Sequence, residues 1–366
     1  MHIDFIDVKS NIEKIESLWN EYCLSSDHSY FMSPGWIHAW IECFSAGEQF
    51  QLMTIKNGTS PIYATIVNFK RQFRGGIFPS RVLNINCTGD YEKDSVCIEY
   101  NHFLQLGDDS FDINEFLKSI DTPWDEIYIP GMCLDRNPGK AIRECDQDWV
   151  IYDYDKPNFS VDLCVIPQER TGYVDSLSKS TRNHIRRTIK FYDAVGEIKL
   201  RRAASIEEAL GMLADLIELK KIILSKRNGA SSLNEHFVKH STALIRNRFE
   251  TGEIQMLKIQ AGDQVIGYIY NLVYHGHVYF YQSGFHYERD NKASPGMLAN
   301  AEAIVYNARL GNKVYDFLAG EERYKECFAN QRSSMLWVRI LKPSIKNWAM
   351  KTLRNARERM RSSGKK

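Results

Sequence analysis

Three observations predict a mixed α/β architecture built from two related domains. The order helix, helix, antiparallel strands, helix, strand is written twice along the chain. At 366 residues the chain exceeds the ~250–300 residues at which a single core stops growing. In each half, strand-like alternation gives way several times to three- and four-residue helical spacing.

The first half opens with two amphipathic segments near 10–24 and 33–45. Ser33 is suited to cap the second, with Pro34 at its first position. Residues 51–56 alternate as a strand and stop at Asn57-Gly58, a two-residue hairpin signal. A return strand over 61–70, a Gly75-Gly76 loop, a strand over 81–87, a helix over 112–120 and a strand over 126–129 follow. The second half begins with one long basic helix over 172–193 and a strand near 197–202. Helices over 205–225 and 233–250 lead into a meander at 253–260, 264–274 and 277–284, turned at Ala261-Gly262-Asp263 and His275-Gly276. Ser294-Pro295-Gly296 opens a helix running to about Leu310. A strand at 313–318, a short helix after Gly320 and a last strand at 334–341 complete the half. The spacing predicts domains at 1–160 and 161–342, with a basic tail at 343–366.

Composition narrows the function. The 47 Lys and Arg nearly balance the 46 Asp and Glu, for a net charge of +1, which argues against a general DNA binder. The balance hides an asymmetry. Residues 342–366 carry nine basic residues and one acidic, net +8, leaving −7 for the rest. Ile345, Trp348, Ala349, Leu353, Ala356 and Met360 recur at helical steps within that tail. It reads either as a helix touching acidic lipid or as a terminal helix packed on the body. No apolar run reaches the ~18 residues of a membrane span, and no secretory signal is visible, so a cytoplasmic protein is expected, with the tail able to hold it at the inner membrane face. The eight cysteines show no Cys-x-x-Cys pair and read as reduced thiols. His236 and His240 are four apart, but no Glu follows His236 to complete a zinc motif, and no metal site is expected.

Several motifs carry a resemblance. They are Phe31-Met-Ser-Pro-Gly-Trp36, Thr88-Gly89-Asp90, Ile98-Glu99-Tyr100-Asn101, Leu177-Ser178-Lys179-Ser180-Thr181-Arg182 with Ile185-Arg186-Arg187, Ser294-Pro295-Gly296, Asp316-Phe317-Leu318-Ala319-Gly320 and Tyr324-Lys325. Together they resemble the BioF2-like, or CelD-like, group of GNAT acetyltransferases, in the doubled form of FemAB-like proteins. The resemblance implies a tandem GNAT fold with a cleft. It also implies transfer of an acyl group, acetyl first, from acyl-CoA to an amine, the acceptor being a small molecule or a lipid- or sugar-linked envelope or exopolysaccharide precursor. Two alternatives stand beside it: an aminoacyl-tRNA-dependent aminoacyltransferase, and a ligand-binding module without catalysis.

Roles follow from the resemblance and from residue chemistry. Lys325, in Tyr-Lys-x-x-Phe, would stabilise an oxyanion, bind a donor phosphate or shuttle a proton; Asp316 and Tyr324 stand with it. Glu99 is a general-base candidate, with Tyr100 and Asn101 toward the acceptor, or else the three close a strand end with structural hydrogen bonds. Ser294 and Gly296 would meet the CoA pyrophosphate at a helix start, although the usual Arg/Gln-x-x-Gly-x-Gly/Ala loop is absent and Ser-Pro-Gly is also ordinary helix-start chemistry. Tyr281 and Gln282, with His286, would line the acyl channel. Arg182 and Arg186 share a helical face with Lys179 and Lys190 and would hold an acceptor phosphate, or else form a solvated basic face.

Overall fold

The computed structural model describes residues 1–74, 78–96, 98–146, 149–225, 233–287 and 293–347. The Gly75-Gly76 loop, Cys97 and the tail from Trp348 onward lie outside them. The fold is mixed α/β and divides into two units, residues 1–155 with 335–366, and residues 156–334. Residues 335–342, expected in the second domain, fall with the first unit, and residues 156–160, expected in the first, with the second.

In the first unit the chain runs β1 (His2–Asp7), α1 (Ile12–Ser25), α2 (Pro34–Phe44), β2 (Phe50–Asn57), β3 (Ser60–Arg74), β4 (Phe78–Ile85), β5 (Leu104–Gln105), α3 (Ile113–Ser119) and β6 (Glu126–Cys133). Ser33 caps α2 as expected, accepting from the Trp36 N–H. Strand β1, absent from the sequence reading, pairs antiparallel with β2. Strands β2, β3 and β4 form the meander, and β4 meets β6 in parallel.

The next strand is β7 (Val150–Asp162), also unforeseen. After it come α4 (Arg170–Ser176) and α5 (Lys179–Asp193), where the sequence suggested one helix. The break has a local cause: Ser178 takes extended backbone and caps α5 through the Thr181 N–H. Then follow β8 (Ile198–Arg202), α6 (Ile206–Ser225), α7 (Glu235–Arg248), β9 (Ile254–Ala261), β10 (Gln264–Tyr274), β11 (His277–Phe285), α8 (Pro295–Arg309), β12 (Val314–Ala319), α9 (Arg323–Phe328) and β13 (Gln331–Leu341).

With β1 in place, β1-α1-α2-β2-β3-β4-α3-β6 repeats as β8-α6-α7-β9-β10-β11-α8-β12. Strand order repeats too: β1-β2-β3-β4-β6 and β8-β9-β10-β11-β12, antiparallel except for β4/β6 and β11/β12. Each closing strand gains an antiparallel neighbour from outside the repeat, β13 on β6 and β7 on β12. Both units bury a core of their own. In the first, Leu83, Ile127, Ile129 and Phe116 pack with Val338 and Ile340 of β13. In the second, Ile259, Ile269, Val278, Leu298, Ile304 and Phe317 pack together. Each such side chain stabilises by about 1.5–3 kcal/mol relative to exposure. The described cysteines are all free thiols.

Candidate active site

The second unit's parallel strands separate almost as soon as they meet. Three pairs join β11 to β12: His277–Val314, Val278–Tyr315 and Tyr279–Asp316. Beyond them β11 continues to Phe285 on β10 alone, so among the described residues its other edge has no strand partner. A β-bulge lies in the same stretch: Asn271 faces Phe280 and Tyr270 faces Gln282, leaving Tyr281 extra. Bulges re-aim the chain and are common beside active sites.

The departure of β12 is built by residues that the sequence marked as catalytic. Leu318 sits at φ +61°, a left-handed conformation uncommon without glycine. Its N–H donates to Asp316 Oδ1 at 2.7 Å, while Asp316 Oδ2 lies 3.0 Å from His277 Nε2. Lys325 Nζ donates to the carbonyls of Leu318 at 3.2 Å and Ala319 at 2.9 Å, and pairs with Glu322 at 3.1 Å. Gly320 (φ +148°) leaves room for this ammonium, since a Cβ there would fall 2.6 Å from Nζ. Lys325 and Asp316 are buried, at 5% and 0% exposure. Their polar groups hold the strand end rather than face open space. Tyr324 packs edge-on against Phe317 and Phe280, and burial pushes its phenol well up.

A further group stands at the bulge that sequence reasoning missed. Lys220 of α6 donates from Nζ to Gln282 Oε1 at 2.6 Å. It is brought there by a close helix–strand contact. A Cβ on Gly284 would fall 2.5 Å from the Leu216 carbonyl oxygen, so only glycine admits α6 this near; Lys220 follows Leu216 on the same helical face, four residues on. Burial lowers the ammonium pKa and Lys325 lowers it further, against an opposing pull from Glu322. Glycine at 284 was the available signal, but adjacent Lys220-Lys221 reads as an ordinary surface pair. Tyr281 stacks on Phe237 of α7 and meets Tyr270 edge-on.

The start of α8 is partly closed by α5. The Ser294 N–H donates to Thr188 Oγ1 at 3.1 Å, and Ser294 Oγ lies 2.6 Å from His184 Nε2. Pro295 has no N–H to offer, and a Cβ on Gly296 would crowd the Phe285 ring at 3.2 Å. Arg182 and Arg186 turn back on the α4–α5 junction. Arg182 donates to the carbonyls of Asp175 and Leu177, and Arg186 pairs with the Asp175 carboxylate at 2.5 Å.

Glu99, Tyr100 and Asn101 belong to the first unit, at the place matching the β11/β12 divergence. There β4 and β6 also pair over three residues, Val82–Glu126 to Asn84–Tyr128. The gap beyond is filled. Asn101 bridges to Met132, and its amide donates to the Ile85 and Pro130 carbonyls at 3.0 Å each while accepting from Asn86 at 2.8 Å. Gly131 (φ +56°) permits this approach, because a Cβ would fall 2.7 Å from the Ile98 carbonyl oxygen. Tyr100 is held at φ +52° with its carbonyl 2.7 Å from His102 Nδ1, and Glu99 is buried. In the loop after β4 the backbone N–H groups of Thr88 and Gly89 bind the chain's own Asp94 carboxylate at 2.7 and 2.8 Å. Burial raises the Asp94 pKa to about 6. Among the described residues no group of three or more His, Cys, Asp or Glu could hold a metal ion.

Residues 179–326 match the model of the acetyltransferase (GNAT) domain family. The fold is similar to that of a protein of unknown function from Bacteroides thetaiotaomicron, at 11% identity over 90% of this chain and 97% of that one, with a TM-score of 0.52. It is likewise similar to FemX, at 10% identity over 92% and 97% of the two chains, with a TM-score of 0.51. No curated protein matches the chain in sequence. The motifs that suggested a FemAB-like protein therefore led to the right fold. Residues 179–326 thus carry a GNAT acetyltransferase domain, which marks the protein as an acyltransferase.

Proposed function

We propose that the second unit moves an acyl group, acetyl first, from acyl-CoA to an amine, with the thioester lying against the free edge of β11 between Phe280 and Phe285. The observation that carries this reading is the early divergence of β11 and β12 beside the Tyr281 bulge. An extended strand edge offers fixed N–H donors, and one of them can polarise the thioester carbonyl and stabilise the oxyanion that forms as the amine attacks. The amine nitrogen bonds to the carbonyl carbon, the carbon–sulfur bond breaks, and the electron pair leaves on sulfur. The protein mainly supplies position.

In this reading Asp316 and Lys325 are positioning residues. They hold Leu318 in its left-handed turn and so keep the slot open. Gly296 is the group at the α8 start best able to meet a donor phosphate, because Ser294 is engaged by α5. Arg182 and Arg186 would reach an acceptor phosphate only by leaving Asp175. A phosphate-bearing envelope or exopolysaccharide precursor, a cytoplasmic setting and a tail held to acidic lipid remain part of the proposal. No helix among the described residues is long and apolar enough to cross a membrane.

Titration calorimetry with acetyl-CoA and with aminoacyl-tRNA at matched salt tests the donor, followed by thiol release in the presence of primary amines. Acetyl-CoA is expected to bind in the ~1 µM–1 mM range usual for enzyme substrates and to be consumed. Binding of the tRNA alone would transfer the reading to an aminoacyltransferase. Binding of acetyl-CoA without consumption across a broad amine panel would leave a ligand-binding module.

A further inference from the structure

We propose that Lys220 is the group that takes the proton from the acceptor amine during transfer. The inference rests on the reading above and adds a residue that neither the motifs nor the family match assigns. Three features lead to it. Lys220 Nζ is anchored 2.6 Å from Gln282 Oε1, one residue past the bulge and on the strand where the thioester is expected. Gln282 is a neutral partner, and it is the one hydrogen-bond partner of this amine among the described residues. The site itself is assembled at the cost of a glycine, Gly284, that lets α6 close on β11.

The contrast with Lys325 sharpens the assignment. Lys325 gives its donors to two carbonyls and a carboxylate. Lys220 has no such set. The charged groups acting on it are Glu322 and Lys325, of opposite sign; on its own helix Lys221 is paired with Glu218, and Asp215 accepts from the Tyr268 hydroxyl. A half-buried lysine with a neutral partner is less basic than a solvated one and so gives up its proton more readily. In the step proposed, the nucleophile nitrogen forms its bond to carbon, the nitrogen's proton passes to neutral Lys220 Nζ, and the departing thiolate takes a proton from Lys220 or solvent.

Two substitutions separate this role from simple charge. Lys220→Arg keeps a cation and a donor for Gln282 but cannot lose its proton; Lys220→Met removes both. With acetyl-CoA as donor and ethanolamine and glucosamine as amine probes, both variants are expected to lose ~100-fold or more in kcat and the rising limb of the pH profile, with unchanged acetyl-CoA affinity. Competitive labelling of the full chain by acetic anhydride, read by peptide mass spectrometry, is expected to show Lys220 titrating at lower pH than Lys221. A Lys220→Arg variant with wild-type kcat and pH profile would overturn the assignment and mark Lys220 as an anion contact. Labelling of Lys220 in step with Lys221 would overturn it equally, including where the probe amines turn over too slowly to measure. Failure of the wild-type chain to bind acetyl-CoA would instead sink the transfer reading on which the proposal stands.

Discussion

The two units share one topology and treat the same gap in opposite ways. In the second, β12 turns away from β11 under a left-handed Leu318, braced by Asp316 and Lys325. In the first, the corresponding gap between β4 and β6 is stitched shut by Asn101, whose amide satisfies carbonyls on both strands. The loop after β4 repeats the pattern, with its N–H groups given to Asp94. A duplicated fold can thus keep the architecture of a site while its own chain occupies the space. Fold likeness alone does not distinguish the units as donor sites; our proposal places the donor in the second because its gap is left open.

The largest expected effect comes from removing the brace in the open unit. Lys325→Met strands the Leu318 and Ala319 carbonyls and the Glu322 carboxylate. We expect a stability loss of about 4 kcal/mol and a fall in kcat of ~100-fold or more, read by urea unfolding and thiol release. If turnover stays at the wild-type level, Lys325 does not hold the slot.

Acid should loosen the closed unit. Burial, and then the Arg136 guanidinium, depress His102 from 6.5 to about 4. A folded-state pKa below the unfolded one means that the unfolded chain binds the extra proton. The stabilisation is therefore complete above pH ~6.5 and is lost as pH falls toward ~4, by up to about 3 kcal/mol. His102→Gln should flatten that part of the stability profile; an unchanged acid slope would show that His102 is not its source.

Asn101→Ala leaves two buried carbonyls and the Asn86 amide without their partner. A loss of about 2 kcal/mol is expected, with acetyl-CoA affinity untouched. Weakened donor binding in that variant would blur the contrast between the units. The smallest effect is expected for Asp316→Asn, which retains an oxygen for the Leu318 N–H and gives up only charge against His277. A loss near ~1 kcal/mol with kcat largely retained would support a positioning role, whereas a kcat collapse at normal stability would restore Asp316 to the chemistry.

Most helices and the second meander were legible because their apolar spacing is regular and the meander's turns carry Gly262 and Gly276. Strand β1 was not, since five of its six residues are only half buried and the sixth is exposed, so its pattern is weak. Strand β7 falls at the junction of the units, where its neighbour β12 comes from far along the sequence. The break between α4 and α5 was marked by Ser178 but masked by the basic run around it. Asp316 and Lys325, from a motif, and Tyr281 and Gln282, from a strand end, fall on β12, α9 and β11 of the second unit. Their roles depend on the φ of Leu318 and on what Nζ touches, and neither is written in a local pattern. For Asn101 both a substrate contact and a strand end held by structural hydrogen bonds stayed open, because a polar residue in such a motif does not reveal whether its amide faces a ligand or its own backbone. Lys220 depends on the approach of α6 to Gly284 across 68 residues of chain.

The crystal structure of the full chain with a non-hydrolysable acetyl-CoA analogue tests the central claim most directly. The analogue's acyl carbonyl is expected beside the β11 edge between Phe280 and Phe285, with its pantetheine arm passing between β11 and β12. An analogue seated in the first unit, with Asn101 displaced from Ile85 and Pro130, would contradict the account.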